Sequence, residues 1–222
     1  SFNFNIGDLL LDFRNVKIES YILDWAKPRF SSMVLKSNII FSDNNEIDFY
    51  NFHVEGPLIQ ILGDFKFKNN RLLNLNLEKF KFYSSIDNIS NNLQIKYTNN
   101  FSSSLELSIL GDVISIGRDG LSNLLNNTGP SNNYENIIIN VFFDELNSKS
   151  NITYKNVEFS YYKKLNKLKE LSFSALLNSE PVIYGETSEH NNTKKIELFA
   201  ENFESLIDVL GLNINLKGGP IK

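Results

Sequence analysis

Apolar and polar residues alternate with a period of two along most of this chain, a pattern that puts one set of side chains on each face of a strand. Phe65 and Phe67 alternate with Lys66 and Lys68. Asn69-Asn70 comes next, and Asn tolerates positive φ, so a tight hairpin turn is expected there. Leu73, Leu75 and Leu77 then alternate with Asn74, Asn76 and Glu78. At Lys79 the phase slips, and Phe80 and Phe82 take over. A one-residue slip would turn every later side chain to the other face, so the economical reading is a β-bulge. Leu93, Ile95 and Tyr97 pair with Leu105, Leu107 and Ile109 around a turn at Thr98-Asn99-Asn100. Further strands fall at Ile137 to Phe143, around Ile152 and Tyr154, and at Val157, Phe159 and Tyr161. Leu171, Phe173 and Ala175, then Pro181 to Tyr184, then Ile196, Leu198 and Ala200 complete the series.

The first sixty residues follow the same rule in shorter pieces. Between Ile6 and Trp25 the apolar positions step from odd to even and back, which predicts short strands joined by bulges or turns. Lys27-Pro28 stops this unit, because proline donates nothing to a ladder. Met33 to Phe41 is a strand, Ser42-Asp43-Asn44-Asn45 a turn, and Ile47 to Val54 a strand ended by Gly56-Pro57. The stretch Lys163 to Glu170, reading KKLNKLKE, fits a helical turn and a polar hairpin loop equally well.

Two segments leave period two. Asp119 is placed to cap a short helix carrying Leu121, Leu124 and Leu125. Near the end, Asn202 stands at an N-cap, and Phe203, Leu206, Ile207 and Leu210 fall at i, i+3, i+4 and i+7, one apolar stripe closed by Gly211. Such a short helix is marginal alone, so these four side chains are expected to pack on the sheet. The fold class is therefore mainly β: an elongated antiparallel sheet of hairpins with one or two short helices. Thr128 to Asn133, reading TGPSNN, is the best linker, dividing possible sub-units 1–128 and 134–222. A sheet with one apolar face hides it in a sandwich or curls it into a trough that a ligand fills.

Composition narrows the chemistry. The 222 residues include 18 Phe and 9 Tyr, ample for a core. Net charge is −4, with both signs interspersed, so no nucleic-acid partner is expected. There is no Cys and only two His, His53 and His190, which excludes disulfides, thiol nucleophiles and a multi-His metal site within one chain. No apolar run reaches the ~18 residues of a membrane span. The chain starts and stops in mid-pattern and reads as a piece of a longer protein.

No phosphate-binding loop, nucleophile elbow, dinucleotide fingerprint or zinc-protease motif occurs. Asp43, Glu46 and Asp48 lack the glycine and distal Glu of a calcium loop and read as a solvated turn. The five Asn-x-Ser/Thr triplets arise from sheer Asn abundance. Lys163, Lys164, Lys167 and Lys169 form the one basic run, a solvated loop or a contact for an anionic lipid surface. No catalytic residue, metal or cofactor is expected.

The last stretch carries a resemblance. Ile196 to Leu212 (IELFAENFESLIDVLGL), followed by Leu216 to Ile221 (LKGGPI), resembles a segment of the AsmA-like superfamily of bacterial envelope proteins, in its YhdP/DUF3971-type branch. Ala200, Glu201, Asn202, Leu206, Leu210, Gly211, Gly218 and Gly219 stand at matching positions, while Ser205 and Asp208 depart from the pattern. Upstream, Val54-Glu-Gly-Pro, Leu62-Gly-Asp-Phe, Leu72-Leu-Asn-Leu-Asn-Leu and Ile109-Leu-Gly-Asp-Val are similar to the family's strand starts and short hairpins.

The resemblance implies a repeating β-groove with an apolar interior, a non-enzymatic conduit moving phospholipid between inner and outer membranes of a Gram-negative bacterium. It would lie in the periplasm, anchored to the inner membrane by a segment outside this chain. Its partners would be phospholipid and the rest of the same long chain. The candidate groove residues are Phe65, Phe67, Leu73, Leu75, Leu77, Leu93, Ile95, Tyr97, Leu105, Leu107, Ile109, Phe159, Tyr161, Phe173, Ile196 and Leu198. The alternative is a structural or adhesion β-sandwich of a surface protein.

Overall fold

The computed structural model describes residues 5–20, 25–42, 44–83, 90–101, 103–115, 134–147, 152–165, 167–178, 180–190 and 193–200. Fourteen strands occur among them: β1 (Asn5–Asp12), β2 (Ile18–Ser20), β3 (Trp25–Lys27), β4 (Val34–Ser42), β5 (Glu46–Gly56), β6 (Ile59–Lys68) and β7 (Arg71–Tyr83), then β8 (Ser90–Asn100), β9 (Ser104–Ser115), β10 (Asn136–Asn147), β11 (Thr153–Lys164), β12 (Lys167–Leu177), β13 (Glu180–His190) and β14 (Thr193–Ala200). Twelve of them form one sheet in chain order, β1 followed directly by β4, and β2 and β3 pair separately. No helix falls among the described residues. Both expected helices, the linker at 128–133 and the packing residues Phe203, Leu206, Ile207 and Leu210 lie outside them.

The sheet is mixed, which corrects the all-antiparallel expectation. Every pairing is antiparallel except β9 with β10, which run the same way. Parallel neighbours cannot be joined by a tight turn and need a crossover of a dozen or more residues. Residues 116–135 supply that length, and the TGPSNN linker lies within them. The strands on either side of the crossover hydrogen-bond directly to each other, from Ser104–Asn136 to Ser115–Asn147.

Turn chemistry accounts for most hairpins. Asn69 and Asn70 both have positive φ, 50° and 62°, as a two-residue turn matching strand twist requires. Asn45 (φ 57°) turns β4 into β5, and Asn178 (φ 51°) follows β12. The KKLNKLKE stretch is a hairpin, with Lys164 opposite Lys167 and a turn starting at Leu165. The β8–β9 turn begins at Phe101, one residue beyond the expected Thr98-Asn99-Asn100, because β8 keeps its ladder through Asn100.

Bulges crease the sheet at one level. In β7 the register jumps between Leu77 and Phe80, the slip expected at Lys79. In β5 it jumps between Phe49 and Phe52, where Asn51 has φ 52° and its N–H donates to Asp64 Oδ1 at 2.8 Å. Between these strands, Gly63 lies so close to β7 that a Cβ would sit 2.2 Å from the Asn76 carbonyl oxygen. Bulges bend a strand and increase its twist, so neighbouring bulges bend the sheet as a unit.

The core lies on one face, densest towards the β5–β6 turn. Phe82, Tyr154 and Ala175 are fully buried, in one cluster with Val54, Ile59, Leu93, Ile114, Phe143, Leu146 and Val157. The β2–β3 hairpin closes over this end. Trp25 joins the cluster and its indole N–H donates to the Leu58 carbonyl at 3.1 Å. Lys27 is buried as well, its ammonium donating to the carbonyls of Val16 (2.7 Å) and Pro28 (3.1 Å).

Candidate functional site: the apolar face of the sheet

Residues directly opposite each other across a ladder share a face, so the register of successive strands traces rows across the sheet. One row reads Ile39, Phe49, Phe65, Leu75, Tyr97, Leu107, Ile139, Tyr161 and Leu171, from β4 to β12. A second reads Phe52, Gly63, Leu77, Ile95, Ile109, Val141, Phe159, Phe173 and Gly185, from β5 to β13. A third reads Leu35, Val54, Ile61, Phe80, Leu93, Gly111, Phe143 and Val157. No charged residue interrupts any of the three. On the opposite face the corresponding row is Asp64, Asn76, Lys96, Ser108, Asn140, Ser160 and Ser172, polar throughout.

Burial is graded across these rows. The third is largely buried, with Val54, Leu93, Phe143 and Val157 at 7% exposure or less. In the first, Ile39 alone is buried and the others are half-buried. The β5–β6 part of this floor is aromatic: Phe49 stacks on Phe65 at 4.4 Å between ring centroids, and Phe52 and Phe67 meet Phe65 edge-on at 4.8 and 5.7 Å. At Gly111 the face closes inward. A Cβ there would meet Leu93 Cδ2 at 2.5 Å and Phe143 Cδ1 at 2.9 Å, so side chains from the strands on either side converge over the glycine.

The candidate groove residues fall as follows. Phe65, Leu75, Tyr97, Leu107 and Tyr161 belong to the first row, and Leu77, Ile95, Ile109, Phe159 and Phe173 to the second. Leu93 belongs to the third. Phe67 and Leu105 lie one step nearer the opposite rim, where Phe67 pairs with Leu72 and Leu105 with Ile137. Leu73 is the extra residue of a small bulge beside Leu72. Leu198 pairs with Gly185 at the end of the second row, and Ile196 with Thr187. Sequence reasoning missed Ile39, Phe49, Phe52, Val141, Phe143 and Leu171, although the same alternation marks them. It also missed the Trp25 hairpin, whose placement is a long-range fact.

Polar groups bound this face. Asn91 is buried near Phe82, its amide donating to the Phe82 carbonyl at 3.4 Å, and Asn99 donates likewise to Leu72 at the other rim. Burial pushes the Tyr97 phenol above its ordinary range, against a hydrogen bond from Asn99, and nearby Tyr134 adds to the rise. On the outer face Lys66 bridges Glu46 and Asp48, 3.3 Å from each, and Lys68 holds Glu46 at 2.7 Å. Hydrogen bonds from Lys68 and then Lys66 keep the Glu46 carboxyl below its usual range. Of the three acids read as a solvated turn, Glu46 and Asp48 are thus engaged by lysines, and Asp43 lies outside the described residues. Among the described residues no group of three metal-ligating side chains gathers. His53 lies on the outer face, 3.7 Å from Glu55. A depression of about 540 Å³ opens beside Phe41, Ile47 and the Asn69-Asn70 turn, at the rim rather than on the apolar floor.

No protein-family model matches this chain, and neither a search of curated proteins nor one of solved structures finds a match.

Proposed function

We propose that the chain is a non-enzymatic, lipid-binding and lipid-conducting segment of an AsmA-like envelope protein. Its creased sheet curls into a trough, and acyl chains lie along the apolar rows. The carrying observation is the run of three uncharged rows across eight or nine successive strands, half-exposed in the first. At ~4.8 Å per strand a nine-strand row is roughly 38 Å long. One leaflet contributes about 15 Å of a ~30 Å hydrocarbon core, so the floor accommodates more than one chain length end to end. Each methylene taken from water is worth about 0.8 kcal/mol. A floor with no charged step keeps that energy nearly level along the path, so a chain slides without a deep trap. Headgroups remain at the open side, and phospholipid moves between inner and outer membranes of a Gram-negative cell from a periplasmic, inner-membrane-anchored protein.

The alternative, a structural or adhesion sandwich, draws on the buried cluster around Phe82 and Tyr154, where the face is already filled. Photo-crosslinking in cells separates the two. Probes at Phe65, Leu107 and Phe159 capture phospholipid, and probes at Asn76, Ser108 and Asn140 on the outer face do not. Crosslinks from the first set to protein alone would sink the conduit reading and leave the sandwich.

A further inference from the structure

We infer that the tip of the β11–β12 hairpin, with the neighbouring β8–β9 tip, is a docking surface for an anionic lipid bilayer. Both tips leave the same end of the sheet, since Asn136 pairs with Ser104 on one side and with Lys164 on the other. That places them three strand spacings apart, roughly 14 Å.

Three observations converge there. First, four lysines gather there without a carboxylate partner among the described residues. Lys17, Lys66, Lys68, Lys155 and Lys195 sit against carboxylates, and lysines elsewhere that lack one, such as Lys36, Lys79 and Lys96, are scattered over different strands. Lys163, Lys164, Lys167 and Lys169 have no ion pair among the described residues, although Glu135 and Glu170 are near in sequence or register. Second, Lys164 lies directly opposite Lys167. Like charges at facing positions destabilise a ladder, so folding alone disfavours this pair. Third, both tips hold an apolar residue at positive φ, Leu165 at 48° and Phe101 at 20°, where this sheet otherwise uses Asn at nearly every such position. Leu165 is 64% exposed and Phe101 37%. A leucine in the left-handed region is strained, and in water its exposure returns nothing.

An anionic bilayer resolves all three. Its surface potential attracts each lysine, the facing ammonium groups gain counter-charges, and Leu165 and Phe101 enter the acyl boundary. The surface lies on the strand-end rim beside the apolar rows and does not depend on a trough.

Flotation of the whole chain with vesicles tests it. Binding is expected to phosphatidylcholine vesicles containing phosphatidylglycerol and not to phosphatidylcholine alone, and it should vanish near 1 M salt, where the Debye length is ~3 Å. At about fivefold per lysine, replacing all four by Gln lowers binding on the order of 100-fold or more. Leu165→Gly relieves the strained φ, so it is expected to unfold at a higher denaturant concentration while binding roughly tenfold more weakly. A purely structural role predicts no loss of binding in that variant. Equal binding to neutral vesicles, insensitivity to salt, or unchanged binding by both variants would overturn the inference. So would a chain that ignores vesicles and captures only a soluble anion or a protein. Inner-face crosslinking is scored separately, so the conduit reading and this one fail independently.

Discussion

Two glycines show how single positions set the shape of the sheet. Gly63 and Gly111 both lie on the apolar face, yet the space each protects differs in kind. A Cβ on Gly63 would meet the backbone of β7, with Asn76 O at 2.2 Å and Leu77 Cα at 2.8 Å. Backbone held in a ladder cannot step aside without breaking pairings. A Cβ on Gly111 would meet the ends of Leu93 and Phe143, which can rotate at a cost. Gly111→Ala should therefore cost about 1–3 kcal/mol, the usual range for overpacking, and Gly63→Ala should cost more than Gly111→Ala. Urea midpoints of the two variants check the order, and equal costs would mean that the crease is softer than its geometry. The Glu46 cluster gives a pH prediction at the same scale. The Glu46 pKa is lowered in the fold from 4.5, so its stabilising contribution is in place above that pH and is lost as pH falls through the lower folded value. Burial works against the Lys66 charge, but Glu46 and Asp48 outweigh it and raise its pKa, so that contribution is present below 10.5 and fades as pH rises past the folded value. Glu46→Gln should flatten the acid limb of stability against pH, measured by denaturation at stepped pH. The effect is small because the groups are solvated.

Among the elements, the β2–β3 hairpin is the one whose role is tertiary. Its three-residue strands cannot hold themselves, and docking of Trp25 into the buried cluster and onto the Leu58 carbonyl holds them instead. Trp25 is the chain's only tryptophan, so its emission reports this contact alone. Native emission should be blue-shifted. Trp25→Phe, which keeps most of the packing but loses the bond to the Leu58 carbonyl, should cost about 1 kcal/mol, and Trp25→Ala about 3–5 kcal/mol by thermal or urea melts. A Trp25→Ala variant as stable as the parent would show that the hairpin does not close this end. Nothing local announced that docking. The Asn69-Asn70 turn and the bulge after Leu77 were legible because each is written in neighbouring residues: a φ tolerance in one case, a phase slip in the other. The shared face of most candidate residues was legible for the same reason, since period two assigns a face once a strand exists, whereas Leu73 falls at a bulge that alternation does not show. The direction of β10 was not. Alternation reads identically in parallel and antiparallel strands, and only the length of residues 116–135 hinted at a crossover. KKLNKLKE was ambiguous because its lysines and leucines fit a helical turn as well as a hairpin, until the pairing of Lys164 with Lys167 decided it.

At the scale of the whole molecule, each strand of the large sheet touches mainly its two ladder neighbours, and among the described residues β1 and β14 pair on one side only. In an open trough, stability would be close to a sum of nearest-neighbour terms, as in repeat proteins, rather than the property of one enclosed core. Opening should then propagate from the ends. Amide hydrogen exchange is expected to be slowest in β7 to β10, where the buried third row meets the convergence over Gly111, and faster towards β1 and β14. Adding phospholipid tests the proposed trough on the same readout. A ligand that binds only the folded array stabilises it by mass action, and one lying along the rows spans many strands at once. Protection should rise together from β5 to β12, and little in the β2–β3 hairpin, which contributes no residue to the three rows. Protection gained only at the 163–169 tip would mean that lipid touches the rim and never enters. A profile that is flat without lipid and unchanged with it would point instead to a closed sandwich, whose strands open only by global unfolding.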